Sequence, residues 1–112
     1  MGNVVMYAAN RGEGKTKWLL EEASKAVELG LDVYYLGLHK DFLDIKFMWH
    51  EMFGTTCPIQ RKEELADINW MKACFLTDNL MESLVPAGYW AARVKSSAAK
   101  WCITLNKEDF AS

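Results

Sequence analysis

The stretch Ala9-Asn10-Arg11-Gly12-Glu13-Gly14-Lys15-Thr16 decides the fold of this 112-residue chain. An apolar run, residues 4–8, precedes it, and an amphipathic stretch, residues 17–29, follows it. The run is almost entirely apolar, as in a strand buried on both faces of a parallel sheet. The amphipathic stretch repeats its apolar residues at helical spacing. The order therefore predicts a strand, a tight loop and a helix.

The same stretch fits the pattern G-x-x-x-x-G-K-[ST], with Ala9 in the place of the first Gly. Gly12 and Gly14 can adopt the positive φ that turns backbone N–H groups inward, and these groups form an anion site with the helix N-terminus. Lys15 adds a charge for the β- and γ-phosphates, and the Thr16 hydroxyl is placed to bind Mg²⁺. A Gly-rich surface turn is the alternative, but the flanking strand and helix favour a phosphate site. The predicted nucleotide-binding residues are Ala9, Asn10, Arg11, Gly12, Glu13, Gly14, Lys15, Thr16 and Lys17.

Composition predicts one globular domain over residues 1–112, because 51% of the residues are hydrophobic and 25% are charged. The net charge of −2 gives no overall attraction to nucleic acid. Nucleic acid is therefore a possible partner, but the net charge does not indicate it. No apolar run approaches the length of a membrane span, and the N-terminus lacks the features of a signal peptide. Three widely spaced cysteines fit a reducing compartment. We therefore expect a cytoplasmic protein with no membrane partner.

Three further apolar runs predict strands at residues 31–38, 73–76 and 101–105. Polar residues follow each run, at the carboxyl edge of a parallel sheet where ligands bind. Asp78 is placed to hold Mg²⁺, although it could also cap the next helix. Asn106 could reach the γ-phosphate or the attacking water, or it could be a strand-end turn residue. The candidate catalytic residues are Lys15, His39, Asp41, Asp78, Asn79 and Asn106.

Residues 41–53 predict a helix with Asp41 as its N-cap and Gly54 as its stop. The helix has more apolar residues than one buried stripe needs. Either it is packed between the sheet and neighbouring elements, or its excess of aromatics and Met contacts a partner. The second alternative predicts a homo-oligomer or a larger protein partner.

With these residues placed, the chain resembles the P-loop NTPase superfamily over roughly its whole length. Residues 7–41 look like the RecA-like core of DnaB-type helicases, and residues 10–16 look like the loop of viral DNA-packaging ATPases, the terminase large subunits. The resemblance implies a three-layer α/β/α sandwich with a short, mostly parallel sheet of about four strands, the fourth inserted between the first and third. It also implies Mg²⁺ with ATP as cofactor and a γ-phosphate sensor at Asn106 or Thr104. The packaging-like loop suggests a phage or mobile-element origin.

Two positions depart from these families. Packaging ATPases place a catalytic Glu directly after the acidic strand tip, where this chain has Asn79. RecA-like enzymes place a Glu at the end of the second strand, where this chain has His39, with Asp41 two residues on. His39 or Asp41 is then the candidate base. With four predicted strands and no DNA-gripping loops, a complete helicase or packaging motor is not expected.

We therefore expect an ATP-binding P-loop NTPase, dependent on Mg²⁺, with slow hydrolysis. A nucleotide-dependent binding module with little turnover is the first alternative, which Asn79 favours. A small-molecule kinase is the second, and it would need Arg61 or Arg93 over the phosphates.

Overall fold

The computed structural model describes residues 3–62, 67–79 and 99–107. These residues form five strands and two α-helices, with a short 3-10 turn at Trp70–Lys72. In chain order the elements are β1 (Asn3–Ala9), α1 (Lys15–Glu28), β2 (Asp32–Tyr35), α2 (His39–Phe53), β3 (Gln60–Arg61), β4 (Ala73–Thr77) and β5 (Lys100–Asn106).

All five strands are parallel and lie in the order β1-β5-β4-β2-β3. The fourth predicted strand, now β5, lies between β1 and β4, as the resemblance implied. The prediction of about four strands is wrong, because β3 adds a fifth at the edge beside β2. This strand has only two residues, Gln60 and Arg61, and is too short to produce a hydrophobic pattern in the sequence.

Both described helices pack on one face of the sheet. In α1 the buried residues fall on one stripe, and they meet Ile45 and Trp49 of α2 and the sheet residues Val33, Cys74 and Cys102. The opposite face carries a second core cluster, which includes Phe75 and Trp101. The central strands β4 and β5 are thus buried on both faces, which explains their nearly continuous apolar sequences. The prediction that β1 is buried on both faces is wrong, because β1 is an edge strand in which Val4 and Met6 are 36% and 53% exposed. Residues 80–98 lie outside the described residues, so the three-layer sandwich stays a prediction.

The α2 helix ends where the sequence predicts but begins earlier. Gly54 has a φ of 68°, and its N–H donates to the carbonyl oxygen of His50 at 2.8 Å, which confirms the stop. The prediction of Asp41 as N-cap is wrong, because the helix starts at His39 after Leu38. Asp41 lies instead in the first turn, where a negative charge interacts favourably with the helix dipole.

Most of the excess apolar residues of α2 serve packing. Phe42, Met48, Met52 and Phe53 are partly buried against the core, which agrees with the packing alternative. Leu43 and Phe47 are exceptions to this packing, because their side chains are 50% and 68% exposed. Neither described helix has the length and apolarity needed to cross a membrane.

Candidate phosphate-binding site

The loop between β1 and α1 closes on itself. Gly12 and Gly14 have φ values of 78° and 81°, the left-handed conformation that other residues adopt only with strain. The N–H of Asn10 donates to the Glu13 carboxylate, and the N–H of Glu13 donates back to the Asn10 carbonyl oxygen at 3.2 Å. Glu13 therefore fastens the loop in this structure, while Gly14 caps α1 without a side-chain hydrogen bond.

Lys15 is held inside this loop. The residue is only 7% exposed, and its ammonium donates to the Asn10 carbonyl oxygen at 3.0 Å. Within the described part of the chain it forms no ion pair. A buried ammonium without a counter-charge is unfavourable, so the site has an excess of positive charge that an anion would neutralise.

A chain of hydrogen bonds joins three elements at the carboxyl edge of the sheet. The Thr16 hydroxyl in the first turn of α1 donates to Asp78 Oδ2 at 2.8 Å. The Thr104 hydroxyl in β5 donates to the other oxygen, Asp78 Oδ1, and accepts the backbone N–H of Asn79 at 2.8 Å. Residues 62 positions apart in sequence, Thr16 and Asp78, are thereby brought into contact, as the motif reading requires.

Two amide side chains complete the site, and each has a buried oxygen without a hydrogen-bond partner among the described residues. Asn106 is 1% exposed, and its Oδ1 has no hydrogen-bond partner in the described structure. It lies opposite Ala9 in the register of β5 and β1, so it stands beside the start of the loop. Asn79 Oδ1 likewise has no partner, and the residue has an unusual φ of 55°.

These groups border a cleft of about 450 Å³, within the size range of small-molecule sites. Its lining residues are Arg11, Gly12, Gly14, Lys15, Thr16, Lys17, Met48, Asn79 and Asn106. Eight of the nine predicted loop residues either line this cleft or hydrogen-bond within the loop. The ninth, Ala9, is buried at the end of β1.

The donor set suits Mg²⁺ held jointly with phosphate. Thr16 and Asp78 offer oxygen ligands, which Mg²⁺ prefers. The described residues contain no group of three His, Cys, Asp or Glu side chains that could hold a metal alone. Mg²⁺ commonly takes one or two protein ligands and completes its shell with water and substrate phosphates, so the residues present fit a metal that enters with a nucleotide.

A second cleft, of about 650 Å³, adjoins the first and shares Thr16, Met48 and Asn79 with it. Asp41 lines this larger cleft, whereas His39 is exposed at the start of α2 and lines neither cleft. Tyr35 also lines it. Burial, with the charges of Asp78, Asp41 and Asp44, raises the pKa of the Tyr35 hydroxyl above its usual value, so it stays protonated at neutral pH.

Sequence reasoning missed some of these contacts. Thr104 was expected as an alternative γ-phosphate sensor, and in the structure its hydroxyl donates to the Asp78 carboxylate. Its signal was a hydroxyl residue next to the end of an apolar strand. Tyr35 and Asp44 had no signal, because a Tyr within an apolar strand and an Asp on a helix are ordinary. Arg61 donates to the Gly37 carbonyl oxygen at 3.3 Å, and Arg93 lies outside the described residues.

Comparisons of the chain with models of protein families, with curated proteins and with solved structures found no match. The observed fold is an α/β fold with a five-stranded parallel sheet. The membership of a P-loop superfamily stays a hypothesis that rests on the motif and on the site.

Proposed function

We propose that this chain binds a nucleoside triphosphate with Mg²⁺, ATP being the first candidate, and hydrolyses it slowly. The observation that carries the proposal is the buried ammonium of Lys15, which has a single carbonyl contact and no ion pair within the described structure. A phosphate group next to it would supply the missing counter-charge. Charge-assisted hydrogen bonds of this kind are the strong ones.

The surroundings of Lys15 support the same ligand. The first turn of α1 contains no acidic residue that would compensate the positive end of the helix dipole. Gly12 and Gly14 leave open space where a Cβ would stand, since no heavy atom lies within 4 Å of that position. Backbone N–H groups can therefore approach an anion closely.

A metal in this site would lie at Thr16 and Asp78. The Thr16 hydroxyl donates to the Asp78 carboxylate at 2.8 Å, which supports the proposal because both groups carry oxygen atoms of the kind that Mg²⁺ binds. When bound, Mg²⁺ would neutralise charge on the β- and γ-phosphates. Thr104 would hold the Asp78 carboxylate in orientation through its second oxygen.

The proposed slow turnover rests on Asn79. Its side chain lines both clefts and has an unpartnered oxygen, so it can orient a water. An amide cannot accept the proton of that water, and a general base normally contributes about 10²–10⁴-fold to the rate. The same observation favours the second candidate function, a nucleotide-dependent binding module whose bound state regulates an assembly.

Calorimetric titration with ATP and Mg²⁺ tests the proposal. Lys15→Ala should weaken binding at least about tenfold, because a hydrogen bond to a charged group contributes about 1.5–3 kcal/mol. The matched control is Lys25→Ala, which removes the same charge from an exposed position of the same helix. Equal affinities of the two variants would refute the assignment of the loop. Phosphate release by the wild type then separates slow hydrolysis from a module without turnover.

A further inference from the structure

The larger cleft has a composition that phosphate binding does not explain. Three carboxylates line it, Asp41 and Asp44 from α2 and Asp78 from the end of β4, against a single cation, Lys40. The lining therefore carries a formal net charge of −2, from three negative groups and one positive group. It would repel a phosphate and attract a cation.

Tyr35 adds an independent sign of a ligand. The residue is 4% exposed and lines the cleft, yet its hydroxyl forms no hydrogen bond with another described residue. Its ring is fixed by stacking on Phe42, with ring centroids 6.0 Å apart, and by the backbone of Gly37. A Cβ added at Gly37 would lie 2.6 Å from the ring, so no larger residue fits there without moving Tyr35. The side chain is fixed and its unpartnered hydroxyl is open to the cleft, where a ligand can hydrogen-bond to it.

The carboxylates of this cleft are spread over separate positions. The described residues include no group of three that could hold a metal ion alone, so Asp41 and Asp44 are not explained by the Mg²⁺ proposed at Thr16 and Asp78. The rim is also apolar, because Phe47 is 68% exposed and Leu38 is 40% exposed. Spaced negative charges beside exposed apolar side chains suit an extended cation with methylene segments.

We propose that this cleft binds a small organic polycation, with its amines on Asp41 and Asp44 and its methylene segments on Phe47 and Leu38. The Tyr35 hydroxyl accepts a hydrogen bond from one amine. The site adjoins the phosphate cleft but does not depend on nucleotide binding, and the test uses the protein without nucleotide.

Spermidine is the probe, titrated calorimetrically into the nucleotide-free protein at low ionic strength, where charge pairs are least screened. Saturable binding is expected. Asp44→Asn should weaken it about fivefold, which corresponds to about 1 kcal/mol for an exposed ion pair. Tyr35→Phe, which keeps the ring, should also weaken it. The control is Asp32→Asn, which removes an exposed carboxylate at the first residue of β2, the opposite end of the strand from the cleft, and should leave affinity unchanged.

Three results would overturn the proposal. Equal losses for Asp44→Asn and Asp32→Asn would mean that spermidine responds only to the overall charge. Equal binding of 1,8-octanediol, a neutral chain of similar length, would mean that only the apolar rim matters. Binding of Mg²⁺ alone with the same dependence on Asp44 and Tyr35 would mean that the cleft is a metal site.

Discussion

Replacing Thr104 by Val should destabilise the protein by about 2–3 kcal/mol, whereas the same change at Thr77 should not destabilise it. Both residues are 0% exposed, and they lie one position out of register on neighbouring strands, β4 and β5. Val has nearly the shape of Thr, so the two variants differ mainly in the hydrogen bonds that they lose.

The magnitude follows from the two bonds of the Thr104 hydroxyl. It donates to the Asp78 carboxylate and accepts the N–H of Asn79 at 2.8 Å. A hydrogen bond to a charged group contributes about 1.5–3 kcal/mol, and a neutral one about 0.5–1.5 kcal/mol. Asp78 is only half-buried, so water can replace part of the hydrogen bonding that its carboxylate loses. The destabilisation should therefore lie in the lower half of the range that the two contributions give together.

The Thr77 hydroxyl has no hydrogen-bond partner in the described structure. Burying such a group costs free energy, so Thr77→Val should leave the free energy of unfolding unchanged or raise it. Urea denaturation of the two variants, with equal m-values, measures the difference. Equal destabilisation by both changes would refute the hydrogen-bond chain from Thr16 to Asn79.

Three further predictions concern the metal, turnover and assembly. Asp78→Asn should weaken ATP binding in Mg²⁺ and matter much less in EDTA, because it removes a charge that would hold the metal; equal effects by calorimetry would contradict this role. Asn79→Glu should raise a slow phosphate-release rate by about 10²-fold or more with little change in affinity, since it restores a proton acceptor; an unchanged slow rate would show that the missing base is not the cause. Self-association, if it uses the exposed Phe47 on α2, should be lost in Phe47→Ser, and sedimentation of a clean wild-type monomer at high concentration, with and without ATP, would refute it.

The central features of the fold could be predicted because each had a strong local cause. The apolar runs of β4 and β5 are buried on both sides of a parallel sheet, so no polar alternation obscures them. Gly12 and Gly14 have the positive φ that the loop motif requires. The contact between Thr16 and Asp78 could be expected because the loop after β1 and the residue after β4 lie at the same edge of a parallel sheet.

The features that sequence reasoning missed depend on tertiary contacts. The β3 strand is only Gln60 and Arg61, and it exists because β2 offers an edge to pair with. Asp41 has the chemistry of an N-cap, but α2 starts earlier, after Leu38. The surroundings of Tyr35 are formed by Gly37 and by the carboxylates of Asp41, Asp44 and Asp78, which no local pattern connects.

A crystal structure with Mg²⁺ and a non-hydrolysable ATP analogue tests the central claim most directly. The account predicts the triphosphate inside the loop of residues 9–17, with the Lys15 ammonium moved from the Asn10 carbonyl oxygen to the phosphates. It also predicts Mg²⁺ at Thr16 and Asp78, and the Asn79 side chain near the γ-phosphate. A nucleotide bound elsewhere, or a loop that keeps the contact between Lys15 and Asn10 at a saturating concentration of the analogue, would contradict it.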